Sequence, residues 1–207
     1  MRKLLSIFIA TVLIVAMTAT SLAAYAAGFS VLEAITFDEI VMELTETINA
    51  FNQMHGGVGE LQVVLEHLDE PYGAPSVLIA GEVTGATRGL VLPSIFSHIR
   101  WQARLSGDPG TAPLVSSSSF EGGHSSLTVI DGGEIISTYR ALEIASVTVW
   151  GGFVSAEYAI TNGGLTVGGD GVVQGKIILI GDMSLWHGTI NAPSITANGR
   201  ISIGQGA

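Results

Sequence analysis

The chain has 207 residues, enough for one domain with a small appendage. Charged residues make up only 13% of it and 27 residues are glycine, which favours a turn-rich β protein over a helical bundle. Its 8 basic and 18 acidic residues give a net charge of −10 and exclude the basic face that nucleic acid or an anionic membrane selects. The chain has no cysteine, which excludes disulfides, thiolate metal sites and cysteine nucleophiles.

The first 26 residues have the pattern of a secretory signal peptide. Arg2 and Lys3 form a positive start, residues 4–17 are an almost unbroken apolar run, and Ala24-Tyr25-Ala26 fits a small-x-small cleavage site. The run is shorter than the ~20 residues that a bilayer span needs, so we expect cleavage rather than an anchor helix. No second apolar span follows. We expect the mature chain, with 6 basic and 18 acidic residues, to be secreted or held at the cell surface, without a membrane span.

Residues 36–53 are predicted to form a helix within an N-terminal entry or cap segment, residues 27–74. Thr36 is a suitable N-cap, and Glu39 three residues later completes a capping box. His55-Gly56-Gly57 ends the helix. The apolar residues recur with the spacing of one helical face at Phe37, Ile40, Val41, Leu44, Ile48 and Phe51.

Short strands are predicted after the helix at residues 61–65, 76–80, 89–92 and 98–105. The first two are separated by a loop at residues 69–73, and the fourth is followed by a turn cluster at residues 106–110. The fourth strand alternates apolar and polar residues, with its apolar positions at Ile99, Trp101, Ala103 and Leu105.

An internal repeat is the main signal in the second half of the chain. Apolar–Thr/Ser–apolar triplets begin at Val147, Leu165, Met183 and Ile201, each 18 residues after the one before. An earlier copy begins at Leu127, and the spacing from Leu127 to Val147 is two residues longer than the 18-residue interval. A fixed period of about 20 residues indicates stacked repeats. Because side chains alternate across a strand, the outer residues of each triplet face one side and the middle residue faces the other.

Other columns of the repeat indicate three short strands in each coil, with corners between them. A corner column is predicted at Gly152, Asp170, Gly188 and Gly206, since glycine, and less easily aspartate, tolerates a sharp corner. Two further inward columns are predicted, one at Val154, Val172 and Ile190 and the other at Ala159, Ile177 and Ile195.

We therefore predict a mainly β protein, a single-stranded parallel β-helix of about 18 residues per coil over residues 75–207, with an N-terminal helix. A right-handed solenoid is favoured. A left-handed one stays open, because residues from Leu165 onward can be cut into hexads. The repeat stops in mid-coil at Ala207, so an incomplete solenoid is expected.

The order of these segments resembles that of bacterial cell-surface proteins with pectate-lyase-like right-handed β-helices. The resemblance covers residues 30–207 and rests on the helix FDEIVMELTETI, the strands VLIAGEVTGA and IRWQARLSG, the stretch PLVSSSSFEGGHSSLTVIDGGEII, and repeats of the LTVGGDGVV kind. It implies exposure outside the cell and a role in adhesion or scaffolding. The hexads are also similar to those of bactofilins, a cytoskeletal family without a secretory signal.

No catalytic or metal-binding constellation is predicted. Enzymes of the pectate-lyase type need several carboxylates and a base on one outer face, whereas Asp170 and Asp182 belong to different columns of the repeat. The basic residues Arg140, Lys176 and Arg200 share no column either. The five histidines lack the spacing of metal ligands, so we expect no metal and no cofactor.

The candidate ligand face is aromatic. Trp150 and Trp186 occupy one outward column, with Gly168 between them, beside the hydroxyl column that contains Thr148, Thr166 and Ser184. We expect the glycine to leave a notch between two indoles, in which a sugar ring could stack. The alternative is that the helix or residues 106–124 cover the tryptophans and make them packing residues.

Three functional hypotheses follow. The first is a non-catalytic extracellular or cell-surface module, structural or adhesin-like, whose partner is a glycan or a host or matrix surface. The second is a polysaccharide lyase or glycoside hydrolase on a β-helix scaffold, which would need carboxylates and a base in one groove. The third is a bactofilin-like polymerising scaffold, which would need solenoid ends that stack.

Overall fold

The computed structural model describes residues 37–66, 76–93, 99–118 and 126–204. The predicted signal peptide and the predicted loop at residues 69–73 lie outside these ranges. The elements in chain order are α1 (Phe37–Met54), β1 (Val58–Glu66), β2 (Ser76–Ala86), β3 (Leu90–Leu92), β4 (Ile99–Trp101), β5 (Arg104–Gly107), β6 (Pro113–Ser117), β7 (Ser126–Val129), β8 (Glu134–Ser137), β9 (Arg140–Trp150), β10 (Phe153–Gly168), β11 (Val172–Trp186), β12 (Thr189–Asn191), β13 (Ser194–Ala197) and β14 (Ile201–Ile203).

The strands form a β-solenoid of about six turns, which confirms the predicted fold. Each coil contributes one strand to each of three parallel faces. Face A consists of residues 76–80, β4, β7 and residues 146–150, 164–168, 182–186 and 201–203. Face B consists of residues 82–86, β5, β8, residues 153–156 and 172–175, and β12. Face C consists of β3, β6, residues 140–144, 159–162 and 177–180, and β13.

The later coils are shorter than the earlier ones. One column of face A passes through seven strands in register, and its members are Ile79, Trp101, Val129, Val149, Val167, Leu185 and Ile203. The interval between successive members is longest from Trp101 to Val129 and becomes constant from Val149 onward. The predicted period therefore holds for the last three coils, and the earlier coils carry longer connections.

The inward columns of face A form a continuous apolar core, as the triplets predict. Val147, Val149, Leu165 and Val167 are all at most 2% exposed. Each stacks on its counterpart in the next coil at the ~4.8 Å strand spacing, so that aliphatic side chains exclude water along the axis. Burying one such side chain contributes about 1.5–3 kcal/mol, and the sum over the columns stabilises a chain that has no disulfide.

The predicted strand at residues 98–105 is two strands. β4 lies on face A and β5 on face B, with Gln102 and Ala103 at the corner between them. The alternation itself is correct, since Ile99, Trp101, Ala103 and Leu105 are all buried. A corner can interrupt a strand without changing which side of the chain faces the core.

Two predicted inward columns are wrong by one residue. Val154 pairs with Val173 rather than Val172, and the buried residues of that column are Val154 and Val173. On face C, Ile177 pairs with Ser194, whereas Ile195 pairs with Ile178; the column that aligns there is Ile160, Ile178 and Ile195. The face B error comes from an extra residue in the turn after Gly168, which a register shift after Ala156 compensates. The face C error comes from the turn after Trp186, which is one residue shorter and displaces Ile195.

The glycine corner column also differs from the prediction. The N–H of Phe153 donates to the carbonyl of Gly133, that of Val172 to Gly152, and that of Thr189 to Gly171. The corner column is therefore Gly133, Gly152, Gly171 and Gly188. Asp170 is an exposed turn residue that precedes this column and does not belong to it.

Helix α1 and strand β1 cover the N-terminal end of the solenoid. The helix agrees with its predicted bounds to within one residue, and it buries Leu44, Ile48 and Phe51 in the core that β1 and the first coil share. β1 pairs antiparallel with β2, over the starts of faces A and B. Asn52 joins the helix to the strand through two hydrogen bonds. Its side-chain amide accepts one from the backbone N–H of Leu61 (2.9 Å) and donates one to the backbone carbonyl of Leu61 (2.8 Å). A second copy could not stack on this end without displacing them.

Within the ranges that the structure describes, no helix is both long enough and apolar enough to cross a membrane.

Candidate functional site

Face A presents three outward columns over its last four coils. The middle column consists of Thr148, Thr166, Ser184 and Ser202, which pair in register and are half-buried. Since each lies between two inward apolar residues, strand alternation directs its hydroxyl outward. The three hydroxyl residues predicted for the ligand face therefore do stand in one column.

The tryptophan column lies at one edge of this face. Trp150 pairs with Gly168 in the next coil, and two coils beyond Trp150 stands Trp186. Trp150 is 54% exposed and Trp186 is 48% exposed. The described residues, α1 and residues 106–118 included, therefore leave about half of each indole exposed, and residues 119–124 of the predicted cover lie outside the described residues.

Each indole lies on a glycine of the following coil. A β-carbon placed on Gly168 would lie 2.5 Å from Cε3 of Trp150, and one on Gly169 would lie 3.3 Å from its Nε1. The six-membered and five-membered rings of Trp150 thus rest against two consecutive glycines. In the same way, a β-carbon on Gly204 would lie 2.5 Å from Cε3 of Trp186. The indoles lie along the surface and leave one ring face open.

The predicted notch over Gly168 is therefore wrong. The space that the missing side chain leaves is filled by the indole of Trp150 itself. Glycine at this position still matters for the site, because it lets the indole lie flat instead of projecting. The surface is an aromatic strip rather than a slot between two rings.

His187 adjoins this strip and has a strained backbone. Its φ is 58°, in the left-handed region, where every other described residue with positive φ is glycine. It forms an isolated antiparallel bridge with Gly168, the glycine beneath Trp150, and its side chain is exposed. Strained non-glycine residues occur preferentially at functional sites, so His187 joins the candidate face. The sequence pattern assigns His187 no role beyond excluding it as a metal ligand, although its corner position, equivalent to Gly151, was an available signal.

The opposite edge of face A carries the column of Ser146, Gly164, Asp182 and Arg200. Asp182 uses one carboxylate oxygen to accept the backbone N–H of Arg200 at 2.7 Å. Asp170 lies in the turn before β11, whereas Asp182 lies within β11, after the segment that belongs to face C. The two acids are therefore not brought together. No group of three His, Cys, Asp or Glu side chains that could hold a metal ion occurs in the described parts of the chain.

Comparisons with family models, with curated proteins and with solved structures find no match to this chain.

Proposed function

We propose that this protein is a non-catalytic module that binds neutral glycans through face A. The observation that carries the proposal is the pair of half-exposed indoles of Trp150 and Trp186, which lie along the surface on glycines. A flat indole offers an apolar plane together with one N–H donor. The apolar side of a sugar ring can stack on such a plane while its hydroxyls reach polar groups beside it.

The hydroxyl column supplies those polar groups. Thr148 and Ser184 each lie two residues before an indole on the same strand, and therefore on the same side of the sheet. Thr166 lies between them in register. Each hydroxyl is both a donor and an acceptor, as are the hydroxyls of a sugar.

The spacing and charge of the strip restrict the ligand. Trp150 and Trp186 are two coils apart, which corresponds to ~9.6 Å along the axis. Only an oligosaccharide of several units, lying parallel to the axis, can contact both indoles at once. The tryptophan and hydroxyl columns of the last four coils contain no charged residue, and the excess of acidic over basic residues in the chain repels polyanionic sugars. These properties favour a neutral chain.

The proposed setting is the outside of a bacterial cell, where the module would act as an adhesin-like or structural surface protein. Residues 1–26 support export through their signal-peptide pattern, and the resemblance to pectate-lyase-like surface β-helices supports display and adhesion.

Binding of the purified protein to an array of neutral glycans tests the proposal. We expect retention of at least one neutral oligosaccharide. The double variant Trp150→Ala/Trp186→Ala should lose about tenfold or more in affinity, since each indole would supply a stacking surface. Val91→Ala serves as the matched control, because Val91 is 52% exposed but lies on face C.

The far-UV circular dichroism spectrum of each variant should stay that of a β protein. Equal glycan affinity of the double variant and the parent would reject face A as the binding surface.

A further inference from the structure

A second concave feature runs along the corner between faces B and C. This corner groove has a volume of about 760 Å³ and extends from Gly85 in the first coil to Asn191 and Pro193 in the last. Its lining includes a column of small residues in register, Gly107, Ser137, Ala156 and Gly175. Small residues in successive coils leave a continuous trough where larger ones would fill the corner.

The groove is long and narrow. From Gly85 in β2 to Asn191 in β12 it crosses five steps between paired strands, which is about 24 Å at the ~4.8 Å strand spacing. A compact small molecule would occupy only a fraction of this length. The shape fits one extended chain that lies parallel to the solenoid axis.

The described walls of the groove expose mostly apolar surface, on which hydroxyl and amide side chains are interspersed with few charges. One wall is a register column of outward residues of face B, namely Ser106, Ile136, Ser155, Gln174 and Asn191. Three charged residues line the other wall, and two of them neutralise each other, since Nζ of Lys176 lies 3.3 Å from Oε1 of Glu157. Among the described residues of the lining, Asp108 is then the one left as a net charge, at the N-terminal end.

Along most of the groove, the backbone cannot bind an extended peptide by strand addition. β8, and the face B segments of β10 and β11, each pair with a strand on both sides, so their ladder N–H and C=O groups are already used. A peptide along these coils would find no sheet edge, since the edge strand β12 lies only at the C-terminal end of the groove, and its amide groups would lose water without a regular partner. Sugar hydroxyls need no such edge, because the hydroxyl and amide side chains of the wall can both donate to them and accept from them.

We propose that the corner groove is a second carbohydrate site, which holds a single extended chain of neutral sugars through Ser155, Gln174 and their neighbours in the register column. The site goes beyond the proposed function of face A, since it lies on other faces and uses none of the tryptophans. Its affinity rises with the length of the chain until the groove is filled.

Calorimetric titration of the Trp150→Ala/Trp186→Ala variant tests the groove in isolation. The probes are neutral gluco-, xylo- and manno-oligosaccharides from two to six units, together with an uncharged hexapeptide of serine and threonine. We expect binding of at least one hexasaccharide, weaker binding of its disaccharide, and no binding of the peptide.

Two variants in this background locate the site. Ser155→Tyr fills the middle of the groove and should lower the affinity about tenfold or more, and Gln174→Ala removes an exposed amide without a packing role and should lower it severalfold. Thr196→Tyr is the matched control, since Thr196 is exposed on face C outside the groove lining. A thermal melt of each variant confirms folding.

The outcomes separate the two proposals. Binding that persists without the tryptophans and falls with Ser155→Tyr and Gln174→Ala supports the groove. Binding that disappears with the tryptophans alone overturns the groove and leaves face A. Three other results also overturn the groove proposal. They are equal affinity of Gln174→Ala and Thr196→Tyr, binding of the peptide instead of a sugar, and no binding of any oligosaccharide by the parent protein.

Discussion

The indole of Trp150 occupies the space that a side chain on Gly168 would need, one coil further along face A. The two residues pair in register, so this contact follows from the constant coil length in this part of the solenoid. Trp150 is therefore half exposed and yet packed against the backbone of the next coil. An aromatic ring with a fixed orientation loses less conformational entropy on binding than one that projects freely.

Substituting Gly168 should disturb this arrangement. A β-carbon there would overlap Trp150, so Gly168→Ala must displace the indole and is expected to lower the free energy of unfolding by about 1–3 kcal/mol. Urea denaturation followed by tryptophan fluorescence measures the change. Gly164→Ala is the control, since its β-carbon would approach no atom closer than 3.9 Å. Equal stability of the two variants would contradict the contact.

His187 should be a source of backbone strain. A left-handed conformation costs a residue with a β-carbon about 1–2 kcal/mol, and glycine avoids most of that cost. We expect His187→Gly to be more stable to urea than His187→Ala, by about 1 kcal/mol. The alanine variant removes the imidazole but keeps the strain, so the comparison isolates the backbone. A less stable glycine variant would show that this backbone is not strained.

The register of face A predicts where a disulfide can form. Thr148 and Thr166 pair directly, and the ~4.8 Å spacing lies within the Cα separations that a disulfide spans. Because the chain has no cysteine, Thr148→Cys/Thr166→Cys should form one intramolecular disulfide on oxidation, detectable by loss of free thiols.

The control pair is Thr148→Cys/Ser184→Cys, two coils or ~9.6 Å apart, which should keep its thiols. Oxidation of the control pair as readily as the adjacent pair would contradict the register.

The N-terminal cap should be part of the cooperative unit. Leu44 is fully buried between α1 and the first coil, so Leu44→Ala is expected to destabilise the protein by about 2–5 kcal/mol. Met42 on the same helix is 58% exposed, and Met42→Ala should change stability little. Thermal unfolding followed by circular dichroism measures both. A Leu44→Ala melt that matches that of Met42→Ala would show that the helix is not coupled to the solenoid.

The sequence predicts the second half of the solenoid well, because the apolar triplets from Leu127 to Ile201 recur at a nearly fixed interval. The first coils are hidden from the same reasoning. Ile79 and Trp101 belong to the same column as Val129, but the longer and unequal intervals between these three residues remove the period. Their local alternation predicts strands, and only the register shows that they stack.

The errors on faces B and C come from two turns of unequal length. An extra residue in the turn after Gly168 makes a fixed count place Val172 in the wrong column, and the shorter turn after Trp186 does the same for Ile195. For the candidate site, too, the spacing of residues in the sequence predicts only part of the arrangement. Spacing places Trp150 and Gly168 in one column but does not reveal that the indole covers the glycine. The corner groove depends on small residues from coils of unequal length, which no fixed period aligns.

The most direct test of a glycan-binding face A is a titration of the ¹⁵N-labelled protein with neutral hexasaccharides, followed through the three indole N–H signals. Trp101 is fully buried and is an internal reference in the same spectrum. We predict that the signals of Trp150 and Trp186 shift together while that of Trp101 stays in place. Tryptophan signals that remain unchanged with every neutral hexasaccharide would contradict face A as a glycan-binding surface.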